Sequence, residues 1–344
     1  MAFKELSNIT DVLLDDEDPI LSNDQVKIFT FINYTILIGV VSSFGVIFNI
    51  LTIVVFFRQG FSDSINISLL GLAVADVAGL LPLIWVGLCY NPWLELTYTN
   101  LDLNDLHYLF GGWPHVCFSR VTGWLTAFIT FERYVCIAFP LKVKAIITPR
   151  RTVIVVASVF VIVCSSVVPV AFSLGVGPTF SVAKNRTVIG LVYSENGVAV
   201  ENVALLINAF LEITAFVFVI LSTIGLVQKF LSKTKWRNET SSSQKNEQIS
   251  RRDKKVVKMI ILISGIFIAS YFPIVINVTV MAVFDDYGVL GRYKNIYMAI
   301  GTCIFFLEAV NSTVNIFVYL RMSSRFRETF VSIFCTVRCR KDRT

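Results

Sequence analysis

Glu132-Arg133-Tyr134-Val135-Cys136-Ile137-Ala138-Phe139-Pro140-Leu141 closes an apolar block that opens at Tyr108. Adjacent charges at the end of a long apolar run mark a border between hydrocarbon and water, and Pro140 cannot continue the helix that carries them. A helix rising 1.5 Å per residue crosses ~30 Å of hydrocarbon in about 20 residues, and this block is longer than that. Six further blocks flank it: Ile28–Phe57, Ile65–Tyr90, Thr152–Leu174, Val200–Leu231, Val256–Phe284 and Tyr293–Leu320. Backbone in lipid must satisfy its own hydrogen bonds, so blocks of this length read as helices. A β-barrel would need short segments of alternating polarity, and these blocks do not alternate. The expected fold is an all-α membrane protein, a seven-transmembrane helix bundle.

Composition agrees. Of 344 residues, 55% are hydrophobic and 16% charged, with a mean hydropathy of +0.70. So few charges would not cover a soluble domain of this size. Residues 1–27 form a polar, acidic tail without the basic start and short apolar stretch of a signal peptide. The first block would then serve as an uncleaved insertion signal. Residues 28–320 hold the seven spans, and residues 321–344 a terminal helix and tail. The seven cysteines include no CxxC pair, which argues against a metal cluster or a disulfide framework.

Basic residues set the orientation. Lys142, Lys144, Arg150 and Arg151 lie between the third and fourth blocks, nine more from Lys229 to Lys255 between the fifth and sixth, and a third group from Arg321 onward. The positive-inside rule places these stretches in the cytoplasm. Glu95, Asp102, Asp105, Asp285 and Asp286 fall outside with the acidic tail. The expectation is a multi-pass plasma-membrane protein, N-terminus extracellular and C-terminus cytoplasmic. The net charge of +6 then reflects topology and does not indicate nucleic-acid binding. Residues 235–248 are polar and Ser-rich and read as a flexible loop. In Ser323–Phe334, Phe326, Phe330 and Phe334 share one face, as in an amphipathic helix lying on membrane lipid. Cys335 and Cys339 follow it and could carry palmitate or stay as ordinary reduced thiols. Asn8 and Asn185 open glycosylation sequons on the outer side.

The opening decapeptide resembles the (D/E)RY-xxI-xxPL run of rhodopsin-like G-protein-coupled receptors. Other blocks fit that family in order. Gly45 to Asn49 and Leu72 to Asp76 match helices one and two. Phe267-Ile-Ala-Ser-Tyr271-Phe-Pro273 looks like FxxCWxP, with Ser and Tyr replacing Cys and Trp. Asn311-Ser312-Thr-Val-Asn315-Ile-Phe-Val-Tyr319 is similar to NSxxNPxxY, with Ile316 in place of proline. The resemblance runs from about Ile28 to Phe334. It implies a receptor that transmits binding of an extracellular small-molecule or peptide ligand to a heterotrimeric G protein, with arrestin and a receptor kinase as further partners. It also implies a coupling and activation switch built from Glu132, Arg133, Tyr134, Leu141, Asp253, Tyr271, Pro273, Asn315 and Tyr319. In that switch Asp253 would restrain Arg133; otherwise it is a solvated charge among Arg251, Arg252, Lys254 and Lys255.

An ionised group in mid-membrane costs ~2.5–3.5 kcal/mol on insertion scales, so Asp76 needs partners. The resemblance places Thr122, Asn311, Ser312 and Asn315 around it. Such oxygen ligands suit a sodium ion acting as an allosteric modulator, or else form a proton-sharing network without an ion. The intramembrane polar groups His115, Ser119, Arg120, Glu212, Tyr271 and Glu308 are the candidate ligand pocket. Arg120 can pair with Glu212 or Glu308, and the pair either meets ligand or fixes helix packing.

Departures narrow the class. His115 replaces the aspartate of amine receptors, and Ala309 the lysine that holds retinal in opsins. Tyr108 stands where most members have a helix-three cysteine, and Val176–Ala199 holds no cysteine to pair with it, so no extracellular disulfide is expected. The run from Trp113 to Arg133 looks like the chemosensory receptors of gastropod molluscs; an invertebrate neuropeptide receptor is the alternative. An intramembrane hydrolase would need more histidines than His107 and His115, and a transporter would show two similar halves.

Overall fold

The computed structural model describes residues 20–181, 184–240, 244–288 and 291–334, with backbone alone at 144, 236–240 and 244–253. Asn8, Cys335 and Cys339 lie outside the described residues, as does the side chain of Asp253. Seven long helices form the bundle: α1 (Asn23–Gln59), α2 (Ser64–Cys89), α3 (Trp113–Ala138), α4 (Pro149–Ser173), α5 (Gly197–Thr240), α6 (Gln244–Val283) and α7 (Lys294–Met322). Each expected block carries one of them.

Their starts follow from local chemistry. Ser22 and Gln25 cap α1 reciprocally through side chain and backbone. Thr148 accepts from the Arg151 amide at 3.4 Å, with Pro149 as the first residue of α4, a position whose missing N–H costs nothing. The expected amphipathic segment after α7 is helical: α8 (Ser324–Phe334) buries Phe326 against Phe56 and Tyr319 and continues as a row of Phe326, Phe330 and Phe334.

Six of the seven long helices are apolar enough to span by themselves, and α3 is the exception. It carries His115, Arg120, Glu132 and Arg133. These residues can sit at membrane depth because protein surrounds them. α3 packs against α2, α4, α5 and α6 and buries most of its length. α4, by contrast, has 11% of its apolar stretch buried, so it faces lipid in place of α3. At the opposite flank, α1 meets α2 and α7 closely at Gly45, where a Cβ would collide with Thr313 Oγ1 and lie 2.7 Å from Leu80 Cδ1. Asn49 Nδ2 ties the same corner, donating to Gly45 O at 2.9 Å and Ser312 O at 2.8 Å.

One element goes beyond the sequence reading. Between α4 and α5 the chain forms an antiparallel hairpin, β1 (Leu174–Ser181) and β2 (Arg186–Tyr193), paired from Leu174↔Tyr193 to Ser181↔Arg186. The β-branched run Thr187-Val188-Ile189 suits a strand. Exposed Asn185 sits at the turn with φ 46°, a left-handed conformation that asparagine tolerates. The glycosylation sequon therefore lies at the hairpin tip.

Hydrogen bonds hold this hairpin in place. Among the described residues Cys89, Cys117, Cys136, Cys164 and Cys303 are all free. Tyr108, at the usual cysteine position, instead donates its hydroxyl to Glu201 in the first turns of α5. The Leu191 amide donates to Asp105 at 2.8 Å, and Asp102 and Ile189 amides bond Ile189 O and Asn100 O, each at 2.8 Å. Burial, and then the charge of Glu201, raises the Tyr193 phenol above its usual range. Burial pushes His107, packed on Tyr90 at 4.9 Å, down from 6.5 to about 4.

The sign of that last shift gives a prediction. The unfolded chain takes up the His107 proton near pH 6.5 and the folded one near 4, so stability is full above about 6.5 and falls as pH drops toward 4. His107→Gln is expected to shrink the loss in melting temperature between pH 7 and pH 4.5 in detergent. An unchanged loss would remove His107 from the acid response.

Candidate ligand site and switch

The six polar groups singled out in the spans meet in one cluster. α3 presents His115, Ser119 and Arg120, four to five residues apart and so on one side of the helix. α5 adds Glu212, α6 Tyr271 and α7 Glu308. Glu308 lies 2.9 Å from His115 Nε2, accepts from Ser119 Oγ at 2.8 Å and stands 3.8 Å from Arg120 Nη1. Arg120 pairs directly with Glu212, and Tyr271 Oη meets Ser119 Oγ at 2.9 Å. All six are buried.

Donor and acceptor counting adds a proton to this cluster. His115 Nδ1 faces Gly79 O at 2.9 Å while Nε2 faces the Glu308 carboxyl. Both neighbours are acceptors, so a neutral imidazole beside an ionised carboxylate leaves one contact without a hydrogen. The pair shares a proton. With it, Arg120 and the His115–Glu308 pair balance the charge of Glu212, as burial in a low dielectric demands. The Arg120 Nε has no hydrogen-bond acceptor among the described residues.

From this cluster a line of contacts follows α3 toward its other end. Tyr271 stacks on Phe267 at 4.1 Å, and a Cβ at Gly123 would lie 3.4 Å from the Phe267 ring. Thr130 Oγ1 meets Ser264 Oγ at 2.7 Å, joining α3 to α6. Beside this line, Asp76 accepts from Thr122 at 3.0 Å and Asn315 at 2.9 Å, with the Ser312 hydroxyl on the same carboxylate. Asn311 is buried but makes no bond to Asp76 among the described residues.

At the far end Arg133 donates to Glu132 at 2.7 Å. Glu132 is 0% exposed and also accepts from Ser68 Oγ at 3.1 Å. The described restraint on Arg133 is thus its own neighbour. Leu141 is 96% exposed just beyond α3. Tyr134 packs over Gly225 of α5. Tyr319 lies between Phe56 and Phe326 with its hydroxyl buried and without a hydrogen-bond partner among the described residues, and Pro273 lies inside α6 two residues after Tyr271.

A family model described as serpentine type 7TM GPCR chemoreceptor Srw matches residues 32–337. The chain belongs to this Srw chemoreceptor family. It is also similar to an FMRFamide receptor of Drosophila melanogaster, at 23% identity over 97% of this chain and 59% of that protein. A galanin-like G-protein coupled receptor of Caenorhabditis elegans is 21% identical over 84% of this chain and 70% of its own length. Neuropeptide receptor 22 of the same organism is 26% identical over 89% of this chain and 69% of its own. This Srw-family chain spans 59% of the length of the Drosophila relative.

Several residues of the Srw-family site went unread in the sequence. Ser68, which lies two helical turns before Asp76 on α2, carries no motif that marks it. Thr130 stands four residues after Thr126 and thirteen before Val143, and its spacing from Thr122 and Thr126 repeats every four residues along α3. That polar stripe was the available signal. Glu201 had none, because its partner is a tyrosine in place of a cysteine. The Thr130–Ser264 contact predicts that Thr130→Val and Ser264→Ala are non-additive, with a coupling of about 0.5–1.5 kcal/mol in a thermal-melting cycle. Strict additivity would mean the two hydroxyls do not bond.

Proposed function

We propose that this chain sits in the plasma membrane with its hairpin outside and its Arg133 end in the cytoplasm, and converts binding of an extracellular chemical stimulus into activation of a heterotrimeric G protein. One observation carries this reading: the buried polar line on α3 from His115 to Arg133, contacting α5, α6 and α7 on the way. Orientation rests on the basic residues Lys142, Arg150, Arg151, Lys229 and Lys233 near that cytoplasmic end.

A ligand that binds one arrangement of the cluster better than another shifts the population by that difference. Tyr271 links the cluster to α6 and stands two residues from Pro273, whose missing amide hydrogen makes it the point about which α6 would swing. Outward motion separates Ser264 from Thr130 and opens the space beside Arg133 and Leu141 to the G protein. Asp253 would add to the restraint on Arg133 in the resting state. Asp76 with the oxygens of Thr122, Ser312 and Asn315 makes a small set of hard donors that suits sodium, which would favour the resting arrangement. Arrestin and a receptor kinase would use the same cytoplasmic face.

Because the cluster balances its own charge, it favours a polar, uncharged stimulus, in keeping with the chemoreceptor family. The names of the three relatives favour a second reading, a peptide ligand. Cells expressing the chain and its Arg133→Ala variant at equal surface density separate the two. A G-protein response to small-molecule fractions that the variant loses supports the chemosensory reading. A response to an amidated-peptide library alone replaces the ligand class. A response that survives in Arg133→Ala overturns the coupling mechanism.

A further inference from the structure

Of the five described cysteines, Cys117 of α3 and Cys164 of α4 meet across the two helices, Sγ to Sγ at 3.6 Å. The Cys117 thiol donates to Cys164, which stands on the helix with the least buried apolar stretch. Their surroundings are apolar: Val121 and Val163 are buried beside them, with Phe118 and Val167 packed on the same cluster. Cys117 is 6% exposed and Cys164 half-buried, so a reagent reaches the pair from the lipid side, through Cys164. Cys117 precedes Arg133 by sixteen residues, about 24 Å at 1.5 Å of rise each. The pair therefore lies among acyl chains, in the half of the membrane away from the Arg133 end.

That environment decides what the two thiols can do. The thiolate is the form that attacks oxidants and binds metals, and a charge buried in hydrocarbon is costly. Arg120, one turn along α3 from Cys117, is already paired with Glu212 and offers no uncommitted charge to hold a thiolate. Attack on a water-borne peroxide and thiolate capture of a soft metal are both disfavoured here. Transfer of a hydrogen atom is not, because it creates no charge. The oxidants that act this way inside a bilayer are lipid peroxyl radicals, formed when oxygen adds to unsaturated acyl chains.

We propose that Cys117 and Cys164 close into a disulfide between α3 and α4 when peroxyl radicals arise in the surrounding lipid. One radical takes the hydrogen of Cys164, which breaks the S–H bond and leaves a lipid hydroperoxide and a thiyl radical. The Cys117 hydrogen then passes to Cys164 along the existing S–H···S contact, so a thiol again faces the lipid. A second radical takes that hydrogen, and the two thiyl electrons pair as the S–S bond. Two thiols and two peroxyl radicals thus give one disulfide and two hydroperoxides; the sulfurs are oxidised and the radicals reduced. Closing from 3.6 Å to about 2.05 Å asks for a shift of about 1.5 Å, within reach of rotation about the two Cα–Cβ bonds. The link would tie to α4 the turn of α3 that carries Ser119 and Arg120. It needs only that the chain spans a membrane, whatever the stimulus or the G protein.

The test uses the full chain in liposomes of polyunsaturated phosphatidylcholine with a lipid-soluble azo initiator. Remaining thiols are alkylated, and peptides are read by mass spectrometry without reduction. The radical dose is set by loss of the Cys303 thiol, which is exposed on α7. A peptide pair joined through Cys117 and Cys164 is expected to rise several-fold and to vanish after a membrane-permeant phosphine. α-Tocopherol, which quenches peroxyl radicals, should suppress it, and hydrogen peroxide in the water phase should give little. Cys164→Ser, which removes the lipid-side thiol, should leave Cys117 unoxidised. Cys117 and Cys164 still fully alkylated at that dose would overturn the proposal. So would a pair that forms equally with hydrogen peroxide or in the presence of α-tocopherol, or oxidation of Cys117 that persists in Cys164→Ser. Each readout is a covalent state of the chain and none depends on signalling, so failure of either proposal is separately visible.

Discussion

An arginine and two glutamates placed in helices that cross a membrane constrain the bundle more than any apolar contact does. Arg120 cannot face lipid, so α3 must occupy the interior, and the carboxyls of Glu212 and Glu308 must reach it from α5 and α7. Lipid-facing area then falls to α4, whose apolar stretch is least buried. Helix association in lipid lacks the hydrophobic drive available in water, so polar groups and close packing must supply it. Here they do so at three levels along α3: the Arg120 cluster, the Asp76 set with Thr122, and the Ser68–Glu132–Arg133 group.

The same placement gives the molecule something to switch. A buried network with balanced charge is held only while each partner is present, and its energy depends steeply on geometry in a low dielectric. The Ser119–Tyr271 bond sets how α3 and α6 fit together, and the Thr130–Ser264 contact lies between that point and Arg133. At the hairpin end the fold dispenses with a disulfide. Asp105 and Asp102 tie β2 to the segment ahead of α3, and the Tyr108–Glu201 bond ties that segment to α5.

Much of this was legible in the sequence. The seven spans were visible because lipid demands long uninterrupted blocks, and the α8 face because its phenylalanines recur every four residues. His115, Ser119, Arg120, Glu212, Tyr271 and Glu308 could be picked out because polar groups are rare at that depth, and they do converge. The hairpin was less visible: its strands are short, lie outside the membrane and pair with each other, so neither span length nor helical period signals them. Ser68, Thr130 and Ser264 were hidden for another reason. A hydroxyl can bond its own helix backbone, so its presence in a span does not reveal a partner. The balance of charge also needed geometry, since only the Gly79 carbonyl beside His115 Nδ1 shows that His115 and Glu308 share a proton.

The claim on which the rest depends is that Arg120 and Glu212 neutralise each other and thereby place α3 at the centre. A double-mutant cycle on the purified receptor in lipid nanodiscs tests it directly, with Arg120→Met, Glu212→Leu and the two combined. Each single change leaves an uncompensated buried charge and is expected to cost about 3–5 kcal/mol, while the double variant recovers most of that loss. Small single effects, or losses that simply add, would contradict the account.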